Sequence, residues 1–170
     1  MIRDYAEDPI LLALFQYWDH KRGERLMAAR RDIDPTEIPR LLPHIRLTEI
    51  LDGCTRFRYR LVGTAVVEAY GADFTGKYTD ELYNGERKAY VERNYCIIYE
   101  KKRPMFLRSR YITLKGYDIV ANRLLAPLSN NDDEVDMVIA ALTFEFGSAL
   151  PETTMRDASM DSSANYTELL

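Results

Sequence analysis

The sequence predicts an α+β domain: a five-stranded antiparallel sheet with short helices inserted after its second strand, one long helix and an N-terminal helical extension. Three observations carry that prediction. Phe57, Tyr59 and Leu61 alternate with Arg58, Arg60 and Val62, the period of two that marks a strand with distinct faces. Gly63 breaks this strand, and a stretch punctuated by Gly71, Gly76 and Gly85 separates it from a long helical pattern. Beyond Pro104 come three further strand-like runs, parted by Lys115-Gly116 and by the turn-rich Ser129-Asn130-Asn131-Asp132-Asp133.

Taken in order, Asp8-Pro9 opens the first helix, with aspartate as N-cap and proline at the first helical position. Leu11, Leu14, Phe15 and Trp18 follow at i, i+3, i+4 and i+7, so they share one face. That stripe either packs on the domain's own sheet or forms a dimer or partner surface. His20, Lys21 and Arg22 before Gly23 suit the helix C-terminus. Asp34-Pro35 repeats the cap-and-proline signal and predicts a short helix to about Leu42, which Pro43 ends. Ile45–Leu51 reads as a strand, Asp52-Gly53 as a turn and Arg56–Val62 as the second hairpin arm. Thr64 to Tyr70 is a short helix closed by Gly71, and Tyr78–Tyr83 is a further helical turn. The long helix spans Glu86–Lys102, with Val91, Tyr95, Ile98 and Tyr99 as its apolar stripe.

Pro104 leads into strands at Met105–Leu114, Tyr117–Leu128 and Glu134–Phe146. The last is apolar on both faces, which requires cover on both sides. We expect the short central helices on one side and the N-terminal helix on the other. From Gly147 the pattern dissolves into Ser, Thr, Asp, Glu and Met, and the tail is read as disordered, with docking of Tyr166, Leu169 and Leu170 as the alternative. The domain organisation is thus 1–44 helical extension, 45–146 sheet domain and 147–170 tail.

At 170 residues the chain fits one domain, and twelve tyrosines with six phenylalanines supply bulk for its core. A net charge of −4 speaks against a general nucleic-acid binder. Cys54 and Cys96 form no Cys-x-x-Cys pair, so a reduced, cytoplasmic protein is expected, with Cys96 as a buried structural thiol. The acidic N-terminus lacks the basic region of a signal peptide, and Ile10–Trp18 is too short to span a bilayer, so no membrane association is expected.

Several segments carry a family resemblance over about residues 8–146: Leu41-Leu42-Pro43-His44-Ile45, Phe57–Thr64, Gly71-Ala72-Asp73-Phe74-Thr75-Gly76, Leu124–Ser129 and Met137–Phe144. In order and spacing they resemble a PAS-like sensor domain, of a subgroup found mainly as single-domain alphaproteobacterial proteins. The resemblance implies a five-stranded sheet with helices inserted after the second strand. It also implies a sensory role, a ligand held between sheet and inserted helices, and dimerisation through the sheet or flanking helices. With no room for an output module, such a domain is expected to act on a signalling protein in trans.

If that fold holds, Tyr70, Phe74, Tyr78 and Leu82 roof a pocket over Phe106, Tyr111 and Leu124, with Tyr95 on the long helix and Arg123 as a charge needing a specific partner. The tyrosines serve either as core filling or as ligand contacts. Arg56, Arg58, Arg60, Arg108 and Arg110 read as solvated faces paired with acidic neighbours, or as an anion site. No cofactor is predicted. Haem is unlikely because the long helix has no histidine ligand and His44 reads as structural. Flavin is unlikely because Asn94-Tyr95-Cys96 is not the Asn-Cys-Arg-Phe-Leu motif of light-sensing relatives. No metal-ligand spacing and no nucleophile elbow occur. The expectation is a non-enzymatic sensor binding an unidentified small molecule, as a homodimer. A ligand-free adaptor, or a small α+β isomerase or hydratase, is the alternative.

Overall fold

The computed structural model describes residues 7–112, 117–149 and 166–168. Helix α1 (Pro9–Arg22) comes first, followed by single 3-10 turns at Arg30–Asp32, Pro35–Glu37 and Leu42–His44. The hairpin β1 (Ile45–Leu51) and β2 (Arg56–Val62) leads to α2 (Thr64–Tyr70), α3 (Thr79–Leu82) and α4 (Gly85–Lys101). Strands β3 (Met105–Ile112), β4 (Tyr117–Leu128), β5 (Met137–Ala149) and β6 (Tyr166–Glu168) complete the chain. All lie in one antiparallel sheet of order β2-β1-β5-β4-β3-β6.

The first five strands are those the sequence predicts, but β5 starts at Met137 rather than Glu134, its end moves and a sixth strand is added. Strand β5 continues through Gly147 to Ala149, so the tail does not begin at 147. Tyr166–Glu168 pairs with Leu107–Met105 as β6, because extended backbone gains a ladder on the open β3 edge. The turn at Lys115-Gly116 and the remainder of the disordered-tail reading fall outside the described residues. The short helix expected from Pro35 to Leu42 is instead two separate 3-10 turns, since Pro39 and Pro43 prevent a continuous ladder.

Strand β5 has no polar face at its centre: Val138 through Leu142 are all buried. Neighbouring residues on a strand point oppositely. Thr143 donates to the Asp8 carboxylate at 2.5 Å, on the α1 side. Phe144 meets Tyr70 of α2 edge-on at 5.9 Å, on the other side. The expected two-sided cover is therefore present, and the N-terminal segment shares one core with the sheet.

Helix α1 starts where Asp8 accepts from the Ile10 and Leu11 amides at 2.9 and 3.2 Å. Leu11, Leu14 and Trp18 are buried, and the Trp18 indole N–H donates to the Pro127 carbonyl at 2.7 Å. Three of the four stripe residues thus belong to the molecule's own core and present no dimer surface. Phe15 alone stays half-buried. The corner between Pro43 and α2 is equally tight. The Gly63 amide donates to the Ile45 carbonyl at 2.7 Å, and a Cβ at Gly63 would stand 2.3 Å from the Pro43 carbonyl oxygen.

Two outcomes follow from these contacts. Gly63 has φ −66°, which alanine tolerates, so the effect of Gly63→Ala is purely steric. It should lower stability by about 1–3 kcal/mol, the usual cost of overpacking, read from the urea midpoint. Trp18→Phe leaves a buried carbonyl unpaired and should cost about 1–3 kcal/mol in the same assay. Trp18 is the single tryptophan, so native emission should be blue-shifted and move red on unfolding.

Candidate functional site

The site lies between the inner sheet face and the roof formed by α2, α3 and α4. Strand register decides which residues face it. Arg46 on β1 pairs with Ala140 on β5, and Ala140 pairs with Leu125 on β4. Arg123, two residues from Leu125, pairs with Leu142 on β5 and Leu107 on β3. Paired residues share a face, so Arg46, Arg123, Leu125 and Leu107 project toward the roof. From above come Tyr70 of α2, Tyr83 after α3, and Arg87, Tyr90, Val91, Asn94 and Tyr95, one face of α4. They enclose a cavity of about 30 Å³, room for about one water molecule.

Its wall is aromatic and its floor carries charge. Tyr95 stacks on Phe57 with centroids 5.2 Å apart, and its hydroxyl shares a 3.0 Å hydrogen bond with Thr48. The Tyr59 and Tyr83 hydroxyls are hydrogen-bonded to each other, and burial pushes both phenols above their ordinary pKa, so they remain neutral. Arg46, 3% exposed, lies 5.2 Å from the centre of the Tyr59 ring. Burial opposes its charge, but the surrounding tyrosine oxygens, Tyr95 foremost, carry its pKa above the usual arginine value. Arg123 donates to the Ser109 hydroxyl. Five buried side-chain polar atoms lack a partner among the described residues, and four line this cavity: Arg46 Nε, Arg123 Nε, Asn94 Oδ1 and the Tyr90 hydroxyl.

The residues singled out in the sequence are divided by this geometry. Tyr70, Tyr95 and Arg123 meet at the cavity. Phe74 packs edge-on against Tyr59 and Tyr70 at 4.8 and 5.5 Å, behind the wall. Tyr78 sits on the β2 edge, with the Arg56 guanidinium 3.7 Å over its ring, and Leu82 is exposed, so neither roofs the cavity. Phe106 and Leu124 pair with each other in register and face α1, the opposite side of the sheet. The Tyr111 side chain lies outside the described residues. The sequence reading missed Arg46, Tyr59, Arg87, Tyr90, Val91, Asn94, Ser109 and the lining leucines as site residues. The signal for Arg46 was available: a charge inside Ile45-Arg46-Leu47, as Arg123 is inside its own apolar run.

The outward arginines behave differently. Arg58 and Arg60 meet Glu49 at 2.7 and 3.4 Å, Arg56 meets Asp80 at 3.4 Å, Arg108 meets Glu145 at 3.1 Å, and Arg110 pairs with Asp118. His44 is structural, its Nδ1 hydrogen-bonded to the Leu142 carbonyl at 3.0 Å. A second, open groove of about 380 Å³ runs beside Phe15, Trp18, Arg22, Lys102 and Arg103.

A family model described as PAS domain matches residues 7–143. The chain belongs to the PAS domain family. It is a PAS-like sensory domain, and the match begins at residue 7, so helix α1 lies within it. Among solved structures, the Rhodobacter sphaeroides LOV protein is similar at 12% identity and TM-score 0.48, over 66% of this chain and 68% of that one. An RNA-binding light-oxygen-voltage receptor is similar at 12% identity and TM-score 0.46, over 64% of this chain and 32% of the receptor. No curated protein matches. Among the described residues no helix is long and apolar enough to cross a membrane.

The two thiols sit away from the cavity. Cys54, in the hairpin turn, donates to Cys96 Sγ of α4 at 2.9 Å. Burial, then the bond to Cys96, then the nearby Glu100 and Glu92 push the Cys54 thiol well up. Thiolate is the reactive form. Iodoacetamide at pH 8 should therefore label native Cys54 much more slowly than the urea-unfolded chain, with the two rates separated by peptide mass spectrometry.

Proposed function

We propose that this PAS-like domain senses a small molecule in the cavity under α2–α4 and passes the signal to a partner protein in trans. The observation that supports this most is the gathering of four unpartnered buried polar atoms at one cavity. Such groups cost free energy until something hydrogen-bonds them. A ligand larger than a water molecule must part Tyr83 and Tyr90 from the sheet, and that displacement of the roof is the change a partner would read. The lining contains no carboxylate, histidine or thiol, which favours binding over a reaction. A cavity of about 30 Å³ favours neither a haem nor a flavin in this conformation. We place the protein in the cytoplasm, without a nucleic-acid partner.

The second reading is a ligand-free adaptor that works by protein contact, as a homodimer or with another chain. The open groove beside Phe15 supports it, because a half-buried aromatic there, with a rim whose Arg22 and Lys102 are already paired to Asp19 and Asp133, suits a largely apolar segment.

A metabolite screen by thermal shift separates the two. A ligand specific for the folded state stabilises by about 2.7 kcal/mol at a hundredfold excess over its Kd. Hits should vanish in Val91→Phe, which fills the cavity, and persist in Phe15→Asp. A screen without hits, together with a cross-linked partner recovered by the wild type and lost in Phe15→Asp, would overturn the sensor reading in favour of the adaptor.

A further inference from the structure

The geometry points to a small organic carboxylate as the ligand class, held between Arg46 and Arg123. This deepens the sensor reading and rests on it. Arg46 and Arg123 line a cavity whose lining includes no carboxylate, in a chain whose net charge is −4. The local positive charge is therefore particular to this site. Arg46 and Arg123 are 3% and 7% exposed, and neither forms an ion pair with any described residue, whereas Arg56, Arg58, Arg60, Arg108 and Arg110 on the outside each have one. A buried charge without a counter-charge is expensive, and proteins rarely keep one without use.

Both guanidiniums are nonetheless held in place by neutral groups, Arg46 by the Tyr59 ring and Arg123 by the Ser109 hydroxyl. This arrangement positions each charge without satisfying it, and each Nε remains without an acceptor. The two arginines stand on strands flanking β5, opposite Ala140 and Leu142, so their Cα atoms lie roughly 12 Å apart on a diagonal. The β5 residue paired with Arg46 is Ala140, whose methyl leaves the floor low enough for two long side chains to converge. The Tyr90 hydroxyl is a further donor aimed at the same space.

Guanidinium matches a carboxylate in plane, with two parallel N–H···O bonds. Leu107, Leu125 and the tyrosine rings receive a short apolar tail. The cavity is small, so acids of two or three carbons displace the roof least.

The full chain can be titrated by calorimetry and thermal shift with acetate, glycolate and pyruvate, against acetamide, glycolamide and sodium chloride at matched ionic strength. Saturable binding and a raised Tm are expected for the carboxylates. The amides should bind more weakly, and Arg46→Met and Arg123→Met should each raise the carboxylate Kd roughly tenfold or more, the loss of one charge-assisted pair. In carboxylate-free buffer, both variants should equal or exceed the wild type in urea midpoint, because each removes an uncompensated buried charge. Lower midpoints in that buffer would mean the charges are already neutralised within the protein, and would overturn the proposal. So would the absence of saturable binding by every carboxylate, whatever the variants do, or an equal response to chloride. Amides binding as tightly as acids would remove the anion assignment and leave the sensor reading standing. No binding by any probe, with hits also absent from the wider screen, would end both.

Discussion

Strand β5 cannot have a solvent face, and the rest of the molecule is arranged around that constraint. Val138 to Leu142 are buried in succession, so both sides of the strand must be covered by something apolar. On one side the cover is α1, through Leu11, Leu14 and Trp18. On the other it is the helical insertion between β2 and β3. Each large side chain removed from water contributes about 1.5–3 kcal/mol. An N-terminal segment supplying three of them is therefore part of the core and not an appendage to it. Its attachments are specific as well as apolar: Asp8 receives Thr143, the Trp18 indole meets the Pro127 carbonyl, and Gly63 gives the Leu42-Pro43 backbone room to pass.

The same two-sided burial makes the arginines informative. On an exposed strand face an arginine chooses between water and an acidic neighbour, and Arg56, Arg58 and Arg60 find Asp80 and Glu49. On the inner face neither choice exists. Arg46 and Arg123 lie in the middle of an apolar sheet, where isoleucine or leucine would pack without penalty. Their rings and hydroxyl partners orient them toward one space. Four of the five unpartnered buried polar atoms among the described residues gather there, and Asn122 Oδ1 is the exception.

Much of this fold was legible in the sequence because its signals are local. Period-two alternation gave β2, proline and glycine punctuation gave the helical insertion, and Asp8-Pro9 gave the start of α1 within a residue. Within the tail, docking of Tyr166 was only the alternative, because Tyr166–Glu168 has no periodicity to display in three residues and its pairing with β3 is purely long-range. The pocket was half legible. Alternation says that Arg123 and Leu124 face opposite ways, so they cannot both line one cavity, and that contradiction was already present in the sequence. Which of the two faces the roof depends on register across β3, β4 and β5, which the chain does not display. Once Arg123 faces inward, Leu107 must join it and Phe106 must not.

In the proposed sensor, the roof is the part that a ligand would move. Helices α2 and α3 have seven and four residues, and helices shorter than about 12–15 residues are marginal in water by themselves. They persist because Tyr70 and Phe74 pack on Tyr59 and Phe144. Helix α4 is longer and is anchored by Tyr95 and Ile98, but Tyr90 and Asn94 on its cavity side each keep an unsatisfied polar atom. The position of these helices is thus set largely by what lies beneath them. The two sides of the sheet differ in the same sense. Helix α1 closes its face with buried apolar contacts and a satisfied indole, whereas the opposite face closes over charge that remains uncompensated. In the proposed sensor, a ligand that neutralises Arg46 and Arg123 on the sheet would have to displace the α2–α4 roof above them, while α1 lies on the far side of the sheet.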